Sequence, residues 1–139
     1  NQPNWLGGIL DSDAADKAAL DAFCEAREDT TYFGFVHNAG QSYDALAAML
    51  DQDRAEAAMQ VNFWSLTRLA KSLVRGMTRA RAGRIVAIGS VAALRANPGN
   101  ASYAATKGAL IAYCRTLAVE SAKRGVTVNV IAPGFIDPG

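Results

Sequence analysis

Apolar and polar positions along the chain alternate between short runs of strand length and longer stretches with helical spacing. Residues 32–37, 84–88 and 126–131 are apolar runs rich in aromatic and β-branched side chains, which predicts buried β-strands. A shorter run, Ile9 and Leu10, predicts one more strand ahead of them. Turn-forming residues follow each run, so we expect four strands separated by helices.

The segments between these runs have the polar and apolar patterns of helices. Residues 17–27 follow an aspartate-containing turn, which favours a helix start because acidic groups stabilise the positive end of the helix dipole. Residues 53–81 and 102–124 predict two long helices, closed by Gly83 and Gly125. This alternation predicts an α/β fold with a mostly parallel sheet, helices on its faces and right-handed crossovers.

Composition and charge narrow the class of protein. A length of 139 residues, half of them apolar, is enough for one domain with its own core. The net charge of +1, with both signs mixed along the chain, predicts neither a nucleic-acid nor a membrane partner. Cys24 and Cys114 lie far apart and form no metal motif, so we expect two buried, reduced thiols and no metal. The first residues show no signal-peptide pattern and no 18 apolar residues run together, so we expect a cytoplasmic protein.

Candidate chemistry concentrates where the predicted strands end. In open α/β sheets, ligands bind beyond the carboxyl ends of the strands. Those ends carry small or turn-forming residues: Asn38, Ala39 and Gly40; Gly89 and Ser90; and Pro133, Gly134, Phe135 and Ile136. We therefore expect a ligand slot along this edge of the sheet.

Tyr103 and Lys107 add titratable groups to that edge. Four residues apart on a helix, they share one face, so the ammonium can lie beside the phenol. A free tyrosine side chain ionises only near pH 10, and a neighbouring positive charge stabilises its anion. Taken singly, the residues allow plainer interpretations: Ser90 as a strand-end cap, Tyr103 as a half-buried aromatic, and Lys107 as a solvated helix charge.

Five motifs in one order resemble the short-chain dehydrogenase/reductase family, Rossmann-type oxidoreductases that use a nicotinamide dinucleotide. They are Asn38-Ala39-Gly40, Asn62 in a Gln-Val-Asn-Phe sequence, Ser90, the pair Tyr103 and Lys107, and Pro133-Gly134. The surrounding sequence looks most like the 3-oxoacyl-acyl-carrier-protein reductase branch. The resemblance implies a doubly wound parallel sheet with helices on both faces, in which residues 1–139 form the central part of a single NAD(P)-binding domain, roughly its third to sixth strands.

The resemblance also implies roles for the catalytic set. Tyr103 would be the general acid for carbonyl reduction, and Ser90 would donate a hydrogen bond to the substrate oxygen. Lys107 would stabilise the tyrosine anion and bind the nicotinamide ribose. The backbone of Asn62 would hold a water that links Lys107 to solvent.

The cofactor implied by the resemblance is NADP, with NAD as the alternative. Asn38, Ala39 and Gly40 would lie along it, and Pro133, Gly134 and Ile136 would surround the nicotinamide carboxamide. Asp13 matches an acidic residue that sits beside the adenine. His37 stands where the family has an asparagine, and we expect it to be a strand-end histidine with its hydrogen bonds satisfied rather than a catalytic base.

The sequence departs from the family in three places. It contains neither the glycine-rich phosphate loop nor the substrate lid, and Pro138 replaces a threonine that contacts the carboxamide. In the family's sheet two other strands separate the first two predicted here, so Ile9-Leu10 and Phe35-Val36 should lie about 14 Å apart.

These observations lead to two functional hypotheses from different classes. The first is an NAD(P)H-dependent carbonyl reductase, acting on a 3-oxoacyl thioester as a small molecule or bound to acyl carrier protein. A related enzyme acting on another small alcohol, a sugar or a steroid is the alternative within the family. The second is an inactive fragment that serves as an interaction module. The family also implies a homotetramer or homodimer built on the two long helices.

Overall fold

The computed structural model describes residues 14–137. Three parallel strands, β1 (Gly34–His37), β2 (Gly83–Ile88) and β3 (Val126–Ile131), lie in the order β1-β2-β3. Their register pairs Gly34 with Arg84, and Ile88 with Ile131. The predicted parallel α/β fold is confirmed. Asp13, Pro138 and the predicted strand at Ile9 and Leu10, with its distance from β1, lie outside the described residues.

The first helix, α1 (Lys17–Glu25), begins where the sequence predicts and ends two residues before position 27. Asp16 caps it, because its carboxylate accepts hydrogen bonds from the backbone N–H groups of Ala18 and Ala19 at 2.9 and 3.2 Å. Leu20 turns inward and is fully buried.

The long helix predicted over residues 53–81 is interrupted by one wide turn. It consists of α2 (Gln52–Met59), a π-helical turn (Gln60–Trp64) and α3 (Ser65–Ala80). The prediction that Gly83 closes this helix is wrong, because Arg81 takes the left-handed conformation there (φ 55°). Gly83 instead begins β2, where a Cβ atom would lie 2.6 Å from the side chain of Met77. Close packing therefore explains this glycine.

The second long helix, α4 (Ala101–Ser121), continues as a 3-10 turn (Ala122–Arg124). Gly125 ends it in the left-handed conformation (φ 73°), as the sequence predicts. Two more short 3-10 turns, Ala47–Met49 and Val91–Ala93, follow β1 and β2.

Three of the helices, α1, α3 and α4, share one hydrophobic core against one face of the sheet. Phe35, Ile85 and Val128 stand in register on that face and pack with buried side chains from α1, α3 and α4. On the opposite face Val36 and Ile131 are 49% and 53% exposed. Residues 14–137 thus contain one of the two helical layers that a doubly wound sheet has. The carboxyl ends of all three strands point to one edge.

Candidate active site

Hydrogen bonds beyond the strands hold their carboxyl ends together. The backbone N–H of Gly89 donates to the carbonyl of Ile131 at 2.7 Å, and that of Val91 donates to the carbonyl of Pro133 at 3.1 Å. A Cβ atom on Gly89 would lie 2.8 Å from the side chain of Val130, so only glycine allows this approach. Ser90 is therefore fixed beside the Pro-Gly turn.

Lys107 lies at the meeting point of these elements. Its side chain is 4% exposed, and its Nζ donates to the carbonyl of Ile88, the last residue of β2, at 2.9 Å. A Cβ atom built on Gly40 would lie 3.5 Å from the same Nζ. Burial lowers the pKa of Lys107. One ammonium thus bonds to the end of β2 and lies close to the segment after β1.

Tyr103 is half-buried one helical turn before Lys107 on α4. The Nζ of Lys107 lies 5.8 Å from the centre of its ring, so the positive charge is beside the phenol. The loop before α4 contacts the segment after β1, since the N–H of Ala45 donates to the carbonyl of Gly99 at 2.8 Å. This loop carries the start of α4 to the carboxyl edge.

Ser90 caps the short turn after β2. Its Oγ accepts a hydrogen bond from the N–H of Ala92 at 3.1 Å. The hydroxyl proton is not used in that bond, so Ser90 can still donate to a ligand. The capping role considered from the sequence and a donor role are therefore compatible.

Asn62 lies in the middle of the π-helical turn and is fully buried. Its Oδ1 accepts from the N–H of Gln41 at 2.7 Å, and its Nδ2 donates to the carbonyl of the same residue at 2.9 Å. Nδ2 also donates to the hydroxyl of Thr106 at 2.9 Å, which in turn donates to the carbonyl of Tyr103 at 2.8 Å. The side chain of Asn62 thus connects the segment after β1 to α4.

Sequence reasoning missed Gln41 and Thr106 as members of this network, and it missed Ser65 as the partner of His37. Thr106 had a local signal, because it stands three residues after Tyr103 and immediately before Lys107 on the same helix. Gln41 bonds to Asn62 through its backbone alone, so its residue type carried no signal.

The expectation for His37 is only half correct. The ring is 2% exposed, and its Nε2 lies 2.8 Å from the hydroxyl of Ser65. Its Nδ1 is buried without a hydrogen-bond partner in the described part of the chain. Burial, together with the positive charge of Lys107, lowers the pKa of His37 from 6.5 to about 4.

The other predicted cofactor positions lie along the same edge. Asn38 and Gly40 are exposed after β1, with Ala39 partly buried between them. After β3, Pro133 is partly buried, and Gly134 and Ile136 are exposed. Exposed residues, the glycines Gly40 and Gly134 among them, thus follow both outer strands of the described sheet.

The cysteines and an unrelated groove lie elsewhere. Cys114 is buried as predicted, but Cys24 is only partly buried, at the edge of a groove between α1 and α3 of about 980 Å³. None of the predicted site residues lines this groove, and its walls carry both signs of charge, including the ion pair of Asp21 with Arg68 at 2.7 Å.

Among residues 14–137, no three histidine, cysteine, aspartate or glutamate side chains come together as metal ligands would. None of the helices in that range combines the length and the apolar character needed to cross a bilayer.

Comparison with known proteins gives three similar sequences and structures. Over 102 residues the chain is 45% identical to the 3-oxoacyl-[acyl-carrier-protein] reductase FabG of Salmonella typhimurium, covering 73% of this chain and 42% of that protein. The Pseudomonas aeruginosa enzyme of the same name is 46% identical, with 73% and 41% covered. A crystal structure of a gluconate 5-dehydrogenase from Burkholderia cenocepacia, in complex with NADP and tartrate, superposes with a TM-score of 0.83 at 31% identity.

The similarity to the solved structure extends over most of this chain. Its superposition covers 90% of this chain and 50% of the dehydrogenase, so the chain spans half or less of each relative. The family model for short chain dehydrogenases matches residues 9–139, which is nearly the whole sequence. This protein therefore belongs to the short chain dehydrogenase family.

Proposed function

We propose that this chain carries the proton-transfer residues of a nicotinamide-dependent carbonyl reductase whose substrate is a 3-oxoacyl thioester. The observation that carries the proposal is the position of Lys107, a buried cation between Gly40, the end of β2 and the ring of Tyr103. Burying an ammonium with one carbonyl acceptor is unfavourable for stability, so a chemical role explains its presence.

The described residues fit a nicotinamide dinucleotide at the carboxyl edge. Lys107 uses one of its three N–H donors on Ile88, and the others suit ribose hydroxyls. Ala39, Gly40 and Gly134 have a small side chain or none, so a flat ring or a sugar can approach their backbones closely. Asn38, Pro133 and Ile136 would complete the wall. We propose NADP as the dinucleotide, with NAD as the alternative, and for Asp13 a place beside the adenine.

In this mechanism Tyr103 is the general acid. The reduced nicotinamide, when bound, supplies a hydride to the carbonyl carbon of the substrate. Tyr103 gives its phenolic proton to the carbonyl oxygen, so that the C=O group becomes a CH–OH group and the tyrosine becomes a phenolate. The ammonium of Lys107, which is buried and lies 5.8 Å from the centre of the ring, stabilises that anion.

Ser90 and Asn62 support the same proton transfer. The free hydroxyl proton of Ser90 hydrogen-bonds the substrate oxygen and holds it in place while negative charge develops there. Asn62 belongs to a wide turn, a feature frequent at functional sites, and fixes the segment after β1 against α4. Its backbone would hold a water that links Lys107 to solvent, and a proton that passes along this water and Lys107 would restore the phenol of Tyr103.

A reductase acting on sugar acids is the second candidate. It is favoured by the match to a gluconate 5-dehydrogenase, which is 31% identical and superposes on 90% of this chain. The two candidates share every residue named above. They differ in whether the carbonyl belongs to an acyl thioester, free or on acyl carrier protein, or to a polyhydroxy acid.

Oxidation of NADPH by the intact protein tests the proposal. We expect turnover with an acetoacetyl thioester, little with 5-ketogluconate, and a loss of about 10²- to 10⁴-fold in Tyr103→Phe. The reverse substrate preference would favour the sugar-acid candidate. Equal rates for the wild type and Tyr103→Phe would refute both, and absence of turnover and of dinucleotide binding would favour the interaction module.

Assembly through the long helices is the final part of the proposal. Trp64 in the π-helical turn and Val119 on α4 are 50% and 79% exposed, which suits a homodimer or homotetramer. Light scattering should give a mass of two or four subunits for the wild type and a smaller one for Val119→Glu. A monomeric wild type would contradict it.

A further inference from the structure

His37 is a buried polar group that the proposed mechanism does not use. It ends β1, directly before the segment Asn38-Ala39-Gly40, and its ring is 2% exposed. One ring nitrogen faces the hydroxyl of Ser65 at 2.8 Å, and the other has no partner among residues 14–137. A side chain buried with half of its hydrogen-bonding capacity unused needs an explanation.

The hydrogen bonds around Ser65 determine where the proton of the imidazole lies. The hydroxyl of Ser65 lies 2.6 Å from the carbonyl of Val61, and a carbonyl can only accept. A hydroxyl has one proton, so Ser65 donates to Val61 and must accept from the Nε2–H of His37. Nδ1 is then the unprotonated nitrogen. The bonds run in one direction, from His37 to Ser65 to Val61.

This series of hydrogen bonds ends at the carbonyl of Val61, which belongs to the π-helical turn. In an α-helix the N–H of Ser65 would donate to the carbonyl of Val61, but here it donates to the carbonyl of Gln60. The hydroxyl of Ser65 donates a hydrogen bond to the carbonyl of Val61 instead. His37 fixes the direction of that hydroxyl from the neighbouring strand.

The position of the wide turn determines where Asn62 points. One residue changes the direction of a side chain by about 100° around a helix axis, so shifting the wide turn along the chain would rotate Asn62 away from its partners. In the observed position Asn62 bonds to Gln41 and Thr106 with three hydrogen bonds of 2.7 to 2.9 Å.

We propose that His37 is a positioning residue of the candidate site: through Ser65 it holds the π-helical turn in place and so presents Asn62 to Gln41 and Thr106 beside Lys107. It acts as a fixed hydrogen-bond donor and carries no proton in the reaction. Its low pKa supports this, since the ring stays neutral at neutral pH. The catalytic consequence rests on the proposed function, but the hydrogen bonding does not.

Nitrogen NMR of the intact protein tests the hydrogen bonding without any assay of activity. His37 is the single histidine of the 139 residues, and the spectrum of His37→Phe identifies its signals. We expect a neutral ring protonated on Nε2, and a change of tautomer in Ser65→Ala. The side-chain amide signals of Asn62 should move in His37→Phe and Ser65→Ala but stay in His37→Gln, whose amide can replace the Nε2–H donor. A ring protonated on Nδ1, or unmoved amide signals, would overturn the proposal.

Kinetics then test the catalytic consequence. We expect kcat to fall about tenfold in His37→Phe and in Ser65→Ala, with KM for the dinucleotide within about twofold of the wild type. The double variant should be no worse than either single one, because both break the same chain of bonds. Retention of kcat in His37→Gln supports the donor role. Full kcat in His37→Phe, or additive losses in the double variant, would refute the positioning role even where the wild type is an active reductase.

Discussion

The two ends of the parallel sheet are packed with different kinds of side chain. At the carboxyl end, His37, Asn62, Thr106 and Lys107 are all buried and polar. At the amino end, the buried side chain of Met77 packs against Gly83, the first residue of β2, which pairs with Val126 of β3. Polar groups are costly to bury and apolar groups are not. The amino end therefore serves stability, while the carboxyl end gives up stability for a site.

Replacing Lys107, the buried cation at the carboxyl end, should have the largest effect on activity. In Lys107→Met we expect activity to fall about 10²- to 10⁴-fold, because the charge beside Tyr103 is lost. The free energy of unfolding should change little, because removing the buried charge relieves a desolvation cost of several kcal/mol, which offsets the loss of a charge-assisted hydrogen bond worth about 1.5 to 3 kcal/mol.

Steady-state kinetics and urea unfolding of the same preparation measure the two quantities. Lys107→Arg, which keeps the charge but not the shape, is the matched control. A loss of several kcal/mol in Lys107→Met would mean that the carboxyl end is as structural as the amino end.

Acid should destabilise the carboxyl end through His37. Its pKa is about 4 in the folded protein and near 6.5 in the unfolded chain, so the unfolded state binds more protons between these values. The stability that depends on the neutral ring is complete above pH 6.5 and is lost as the pH falls to 4. At about 1.4 kcal/mol per pKa unit, the loss is about 3 kcal/mol.

Unfolding by urea at pH 7 and pH 4 gives this difference, with His37→Gln as the control because its side chain does not titrate. The wild type should lose about 3 kcal/mol more than the variant over this interval. Parallel losses would mean that the ring is hydrated in the folded protein.

At the amino end we expect an effect on stability alone. A Cβ atom on Gly83 would lie 2.6 to 2.7 Å from three atoms of Met77, whose side chain is fully buried. Gly83→Ala should therefore lower the free energy of unfolding by about 2 kcal/mol, as overpacking does. Activity per folded molecule should stay at the level of the wild type, because Gly83 begins β2, at the end of the strand opposite to Ser90 and the Lys107 ammonium.

Gly108 offers a matched control with the opposite sign. It lies within α4, and a Cβ atom there would have no atom of the other described residues within 4 Å, apart from its chain neighbours and the backbone of the helix itself. Gly108→Ala should raise the stability by about 0.5 to 1 kcal/mol, the difference in helix propensity. Thermal unfolding of both variants tests the pair, and equal shifts would mean that the contact with Met77 is unimportant.

Much of the fold was predictable because its signals are local. The strand at residues 126–131 has the predicted bounds, and the left-handed conformation of Gly125 follows from the residue type at a helix end. The spacing of Tyr103 and Lys107 on one helix face likewise follows from helix geometry. Gly83 was misread, because a glycine required by a distant methionine looks the same in sequence as one that ends a helix.

The sequence by itself thus determined the order of strands and helices, and the residue types that follow each strand. Only the tertiary structure decided that Asn62 lies in a wide turn, that Lys107 bonds to Ile88, and that His37 donates to Ser65. The reason is physical: these bonds join residues 19 to 44 positions apart in the chain. Hydrophobic periodicity reports which face of an element is buried, whereas the partner of a buried polar group depends on which elements pack together.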